Sequence, residues 1–148
     1  MRLQKRYHPF DEVQTKNWIK RNIQRYQADG FGLWAVVLKE TDEVIGDCGL
    51  TLQMIDGNQL PEIGYHIHKN YWQRGFGSEA AHAVRDWAFE HTEYDTLYSY
   101  MKYTNVASSL TAQAIGMTKV KAYPDEDNGI SYAYAITRKE WQELKENH

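Results

Sequence analysis

Glu62-Ile63-Gly64-Tyr65-His66-Ile67-His68, followed after three intervening residues by Trp72-Gln73-Arg74-Gly75-Phe76-Gly77-Ser78-Glu79-Ala80, decides how this chain is read. From about Leu60 to His68 the side chains alternate. Ile63, Tyr65 and Ile67 fall on one face of a strand, and Glu62, Gly64, His66 and His68 fall on the other. Behind the glycine segment, Ala80, Val84, Trp87 and Ala88 recur at i, i+4, i+7 and i+8, the stripe of an amphipathic helix ending near His91. The local order is therefore strand, glycine loop, helix. Gln73 to Ser78 sets consecutive backbone N–H groups at the positive end of that helix, where glycine lets a ligand approach the main chain, so the segment predicts a phosphate-bearing ligand. The loop is neither GxGxxG nor a phosphate loop ending in Lys-Ser or Lys-Thr, and taken alone it fits ligand-free loop glycines equally well.

Working outward, Asp11 stands at capping-box spacing before Gln14, and Ile19, Ile23 and Tyr26 follow at helical intervals, which predicts a helix over about residues 11–28. Leu33 to Lys39 and Val44 to Met54 read as a hairpin joined at Thr41-Asp42, and Asp56-Gly57-Asn58 reverses the chain into the strand quoted above. Leu97 to Tyr103 is strand-like. Val106 to Ile115 is compact, with Gly116 as its C-cap, and Lys119 to Tyr123 with Ile130 to Thr137 form a closing hairpin. Thr137 caps a short helix to Leu144. No repeat or linker interrupts residues 1–148, so one α/β domain is expected.

The chain has 148 residues, with 17 Lys+Arg against 20 Asp+Glu and a net charge of -3, a balance that gives nucleic acid no basic field to condense on. No nucleic-acid partner is expected. Cys48 is the single cysteine, so no disulfide or zinc framework exists and a cytoplasmic, reducing location is expected. The longest apolar run, Leu33 to Leu38, falls far short of a membrane span, and Met1, Arg2, Gln4, Lys5 and Arg6 precede no apolar leader. No membrane association is expected.

Taken together, Glu62-Ile63-Gly64-Tyr65, the Tyr71 to Ala80 segment, Asn105-Val106-Ala107-Ser108 and Ile115-Gly116-Met117 resemble, in order and spacing, the GNAT N-acyltransferase superfamily and specifically its RimJ/RimL-like branch. The ending Tyr134-Ala135-Ile136-Thr137-Arg138-Lys139-Glu140-Trp141 resembles that branch's closing strand and cap, so the likeness covers about residues 9 to 141. The resemblance implies a mixed, mostly antiparallel central sheet flanked by helices. It further implies acetyl-CoA as cosubstrate and transfer of its acetyl group to a primary amine, a protein N-terminus or a small molecule, by direct attack in a ternary complex.

The resemblance assigns roles residue by residue. The CoA pyrophosphate is expected on the N–H groups of Gln73, Arg74, Gly75, Phe76, Gly77 and Ser78, with Arg74 adding charge at the rim, and the pantetheine arm along the strand near Ile67. Glu62 matches the strand glutamate that serves as general base, and His66, on the same face, is the second candidate. Ser108 matches the serine that protonates the departing thiolate, and Asn105 is expected to bond the pantetheine amide. As ordinary structure, Glu62 would pair with a surface cation, His66 would be a solvated strand histidine, and Asn105 and Ser108 would cap a helix.

Three departures matter. Trp72 and Gln73 replace the superfamily's usual loop start, and the helix position that often carries an acidic tyrosine is Ala112. The family usually opens with a further strand and helix, so that strand and most of that helix are expected to be missing, which predicts a shortened chain, a misassigned start, or an exposed sheet edge completed by another copy in a homodimer. His66 and His68 share a strand face without an evident third ligand, so no metal is expected. Cys48 reads as a small buried hydrophobe. Trp18, Trp34 and Tyr100 are candidates to line a substrate cleft. The alternative classes are an acyl-CoA-binding module with little turnover and a nucleotide-binding interaction domain that shares only the loop.

Overall fold

The computed structural model describes residues 12–147. The expected cap at Asp11 lies outside them. The elements run α1 (Glu12–Asp29), β1 (Leu33–Val37), β2 (Val44–Ile55), β3 (Asn58–Ile67), a 3-10 turn (Lys69–Tyr71), α2 (Phe76–His91), β4 (Thr96–Lys102), α3 (Val106–Ala114), β5 (Thr118–Asp125), β6 (Gly129–Thr137) and α4 (Arg138–Glu146). The six strands form one sheet in the order β1-β2-β3-β4-β6-β5, in which only β3 and β4 run parallel. This is the mixed, mostly antiparallel sheet that the motifs implied.

Element ends differ from expectation where turn chemistry intervenes. β1 stops at Val37 rather than Lys39, because Asp42 adopts a φ of 60° and its N–H donates to Leu38 O, drawing the chain into the turn early. β3 starts at Asn58 rather than Leu60. Asp56 and Gly57 have φ of 48° and 80°, the paired positive angles of a two-residue hairpin turn that matches strand twist, so Ile55 pairs directly with Asn58.

α2, α3 and α4 cover one face of the sheet, where Leu50, Ile63, Leu97, Ile115 and Ile136 are buried with Phe89 and Trp141. The buried stripe of α2 is Ala81, Val84, Arg85, Ala88 and Phe89, rotated by one residue from the expected one. Ala80 and Trp87 are only partly buried. Arg85 joins the buried side because its guanidinium donates to Ile115 O at 2.8 Å and meets Asp86 Oδ1 at 2.9 Å, which satisfies a charge that packing alone would exclude.

α4 is held by its cap. The Thr137 hydroxyl accepts from Glu140 N–H at 3.1 Å, and the Glu140 carboxylate accepts from Thr137 N–H at 2.9 Å. Thr137→Ala should therefore cost about 1 kcal/mol, read by thermal unfolding as a fall of about 2–4 °C. An unchanged melting temperature would show that Trp141 packing alone holds the helix.

Candidate active site

The site begins where the sheet opens. In the β2–β3 pairing Asp47 faces His66, Gly49 faces Gly64 and Thr51 faces Glu62, and His68 N–H donates to Ile45 O. Antiparallel pairs alternate the direction of their amides, so Glu62, Gly64 and His66 turn theirs toward β2, while Ile63, Tyr65 and Ile67 turn theirs toward β4. Yet β3 and β4 share a single pair, Glu62 with Tyr98. At the next rung side chains replace the ladder: Ser99 Oγ donates to Ile63 O at 2.8 Å, and Tyr100 N–H reaches Glu62 Oε2 at 3.5 Å. Beyond it the strands part. The main-chain groups of Tyr65 and the Ile67 N–H border the gap, whereas Ile67 O accepts from Trp72 Nε1 at 2.7 Å.

The gap leads into a cleft of about 670 Å³ between the glycine loop and the start of α3. Ile67, Gln73, Gly75, Phe76, Gly77, Ser78, Asn105 and Ser108 all line it. Gln73 and Gly75 take φ of 64° and 80°, and Gly75 caps α2 without any side-chain hydrogen bond. The N–H groups of Phe76, Gly77 and Ser78 are thus left at the positive helix end without a capping side chain. Arg74 is the exception among the expected loop residues: it does not line the cleft, and its guanidinium lies 5.5 Å from the centre of the Tyr71 ring.

On the opposite wall Asn105 takes the structural role weighed for it, since its Oδ1 accepts from Ser108 N–H at 3.1 Å and caps α3. Its Oδ1 is thereby engaged within the chain. Ala112 is fully buried. A hydroxyl reaches this wall from elsewhere: Tyr65 donates to Ser108 O at 2.7 Å, joining β3 to α3 across the opening. Burial pushes the Tyr65 phenol well above its ordinary range, so it remains a donor. Sequence reasoning noted Tyr65 only as part of a motif, because a contact spanning 43 residues leaves no periodic signal.

Glu62 sits at the fork, half-buried, on the sheet face away from α2. Burial pushes its carboxyl up to about 8, against the opposing pull of the Tyr100 N–H. Its Oε1 lies 3.2 Å from where a Cβ on Gly64 would stand, so the side chain leans along the strand over the glycine. Farther along the same face, His66 Nδ1 lies 2.8 Å from Oδ1 of Asp47, whose side chain is fully buried. Asp47 was not singled out in the sequence, and its one signal is a charge inside the apolar stretch Val44 to Leu50. His68 Nδ1 accepts the Asn70 N–H at 3.2 Å.

Of the aromatic candidates, Tyr100 shares the Glu62 face and packs with Leu60 and Tyr98 against Ile55, Tyr123 and Ala133. Trp34 does not. It meets Trp87 of α2 edge to face at 5.0 Å, because it pairs with Cys48 on the core side of the sheet. Trp18 lies on α1 with its indole Nε1 buried and without a hydrogen-bond partner. A second hollow of about 500 Å³, bounded by Leu60, Tyr98, Ala133 and Ala135, opens on the Glu62 face. Glu62 lines neither the hollow nor the cleft, but its partner across the sheet, Tyr98, borders the hollow. Among the described residues no group of three His, Cys, Asp or Glu could hold a metal, and no helix is long and apolar enough to cross a membrane.

Known proteins carry the same architecture. YkkB of Bacillus subtilis is 33% identical over 107 residues, 72% of this chain but only 62% of YkkB, so the chain spans less than two thirds of that relative. A crystal structure of an acetyltransferase from Agrobacterium tumefaciens superposes with a TM-score of 0.70 at 30% identity, covering 87% of this chain and 74% of that one. RimL, a ribosomal α-N-protein acetyltransferase solved with coenzyme A, shares the fold with a TM-score of 0.72 at 16% identity, over 86% of this chain and 73% of its own. The sequence profile of the acetyltransferase (GNAT) domain matches residues 1–118. With this sheet, its opening at Glu62 and that match, the chain belongs to the GNAT acetyltransferase family.

Proposed function

We propose that the protein is an acetyl-CoA-dependent N-acetyltransferase acting on a primary amine. The observation that carries this reading is the parting of β3 and β4 after the Glu62–Tyr98 pair, beside a cleft that runs from Tyr65 and Ile67 to the uncapped start of α2. An extended arm fits beside β3, where the main-chain groups of Tyr65 and the Ile67 N–H are available as a strand edge. A diphosphate fits at Phe76, Gly77 and Ser78, where main-chain N–H groups and the helix dipole both favour negative charge. The coenzyme supplies a thioester-activated acetyl group. RimL, a protein of the same fold, binds coenzyme A, which supports the choice of ligand.

The residues then divide the work. The amine reaches Glu62 from the Tyr98 and Tyr100 face and gives up a proton to its carboxylate; the neutral amine attacks the thioester carbonyl, the new C–N bond forms and the C–S bond breaks. The nitrogen's second proton, made acidic by acylation, passes to Ser108 on the α3 wall as Ser108 gives its own to the thiolate, so the hydroxyl is restored. No covalent enzyme intermediate is needed. One observation favours the alternative of a CoA-binding module with little turnover: the fully buried Ala112 holds the place where many relatives carry a tyrosine.

Thermal unfolding with acetyl-CoA, CoA, ATP and NAD tests ligand class. A ligand at 100 times its Kd adds about 2.7 kcal/mol to the native state, which for a domain of this size is about 5–10 °C. Both CoA species should produce the rise and the nucleotides should not. CoA release that depends on an added primary amine then separates an enzyme from a binding module. A rise with ATP or NAD alone would refute the coenzyme assignment.

A further inference from the structure

We propose that His66 and Asp47 form a proton relay behind Glu62, in which Asp47 is the positioning residue that makes His66 Nε2 the receiving atom. This inference rests on the acetyltransferase reading above. Asp47 is fully buried on β2, its Oδ1 lies 2.8 Å from His66 Nδ1, and its Oδ2 has no hydrogen-bond partner. A buried carboxylate with one close partner is strongly tied to that partner. With Asp47 Oδ1 as the acceptor of this contact, Nδ1 carries the hydrogen and Nε2 is left with its lone pair. The same contact fixes the plane of the ring. Arg25, on α1, lies within electrostatic reach of Asp47.

Geometry connects this pair to the base. Glu62 and His66 share one strand face with their Cα atoms about 13 Å apart, and Gly64 lies between them. Because Gly64 has no side chain, Glu62 Oε1 can lean over it toward His66. Water would have to bridge the interval that remains, and the His66 side chain is 23% exposed, so the path ends in solvent. The sequence of transfers balances: the amine proton passes to the Glu62 carboxylate, then through water to His66 Nε2. The imidazolium is held at Nδ1 by Asp47 and releases its proton to bulk water, leaving Glu62 ionised for the next turnover.

The test compares wild type, His66→Ala, His66→Gln and Asp47→Asn at saturating acetyl-CoA, with and without added imidazole. His66→Ala should lower kcat about 10- to 100-fold and leave the KM for acetyl-CoA and the CoA-induced thermal shift unchanged. Imidazole should restore its kcat several-fold, which a purely structural loss would not permit. Asp47→Asn should lower kcat in the same range, and combining it with His66→Ala should add little. Because Asp47 is buried and its variant can fail to fold, nitrogen NMR of the wild-type imidazoles gives a second readout, expected to show the proton of His66 on Nδ1. A His66→Ala enzyme with wild-type kcat and pH profile, or a His66 protonated on Nε2, would overturn the relay. A wild type that binds acetyl-CoA but acetylates no amine would instead overturn the acetyltransferase reading, with the tautomer of His66 still deciding the pairing with Asp47.

Discussion

Glu62→Gln is expected to lower kcat by about 10²–10⁴-fold, the usual contribution of a positioned general base, while acetyl-CoA still protects the fold. The substitution keeps the length of the side chain and its contact with Tyr100 N–H, but removes the site that accepts a proton. Its signature lies in pH. With the Glu62 carboxyl held near 8, most wild-type molecules carry it protonated at neutrality, so turnover should climb as the pH rises through about 8. Glu62→Gln should lose that limb. An acceptor amine of low basicity is the proper substrate for this measurement, because its own deprotonation does not add a second rise. Equal profiles for both enzymes would remove Glu62 from the base role.

The same substitution should stabilise the fold. Burial raises the folded-state pKa of Glu62 above its ordinary value of 4.5, so folding favours the neutral carboxyl. That contribution is present in full below about 4.5 and is lost as the pH rises through about 8. Gln stays neutral throughout. The stability of Glu62→Gln should therefore pull ahead of wild type between pH 5 and 8.5, by an amount on the order of 1–2 kcal/mol after allowing for the water that reaches a half-buried group. A gap that stays constant with pH would contradict the raised carboxyl.

Gly77→Val should abolish coenzyme binding, weakening it 100-fold or more, while the free protein stays folded. A Cβ at Gly77 would stand 3.7 Å from Ile67 Cγ1 and 3.9 Å from Thr111 Oγ1, ordinary contacts for the domain itself. Those two atoms belong to opposite walls of the cleft, however, so a branched side chain there stands across its floor. Gly77→Ala provides the control: it should add about 0.5–1 kcal/mol through helix propensity and weaken the coenzyme less. Calorimetric titration with CoA, set beside the melting temperature of each free variant, distinguishes a blocked cleft from a damaged fold. Gly77→Val binding CoA as wild type does would move the diphosphate away from α2.

Much of the fold is legible along the chain because its signals are local. Alternation at Ile63, Tyr65 and Ile67, the two-residue turn at Asp56-Gly57 and the cap at Thr137 each follow from residues a few positions apart. The loop from Gln73 to Ser78 is equally local, and apart from Arg74 its residues all line the cleft. Arg74 departs because its guanidinium meets Tyr71 instead, a choice of rotamer that composition does not encode. The stripe of α2 was displaced because a buried arginine is improbable until Ile115 O and Asp86 are placed beside it.

By itself, then, the sequence determined the element order, the strand–loop–helix unit and the chemical types that face each way along β3, since these depend on backbone periodicity and on which residues tolerate a turn. The tertiary structure alone decided that β3 and β4 part after one rung, that Tyr65 reaches Ser108 O, and that Asp47 stands behind His66. Those contacts join residues 19 to 43 positions apart, and no local propensity selects them. The parting itself is tolerated because Ser99 and Glu62 supply hydrogen bonds that the broken ladder would otherwise leave unmade.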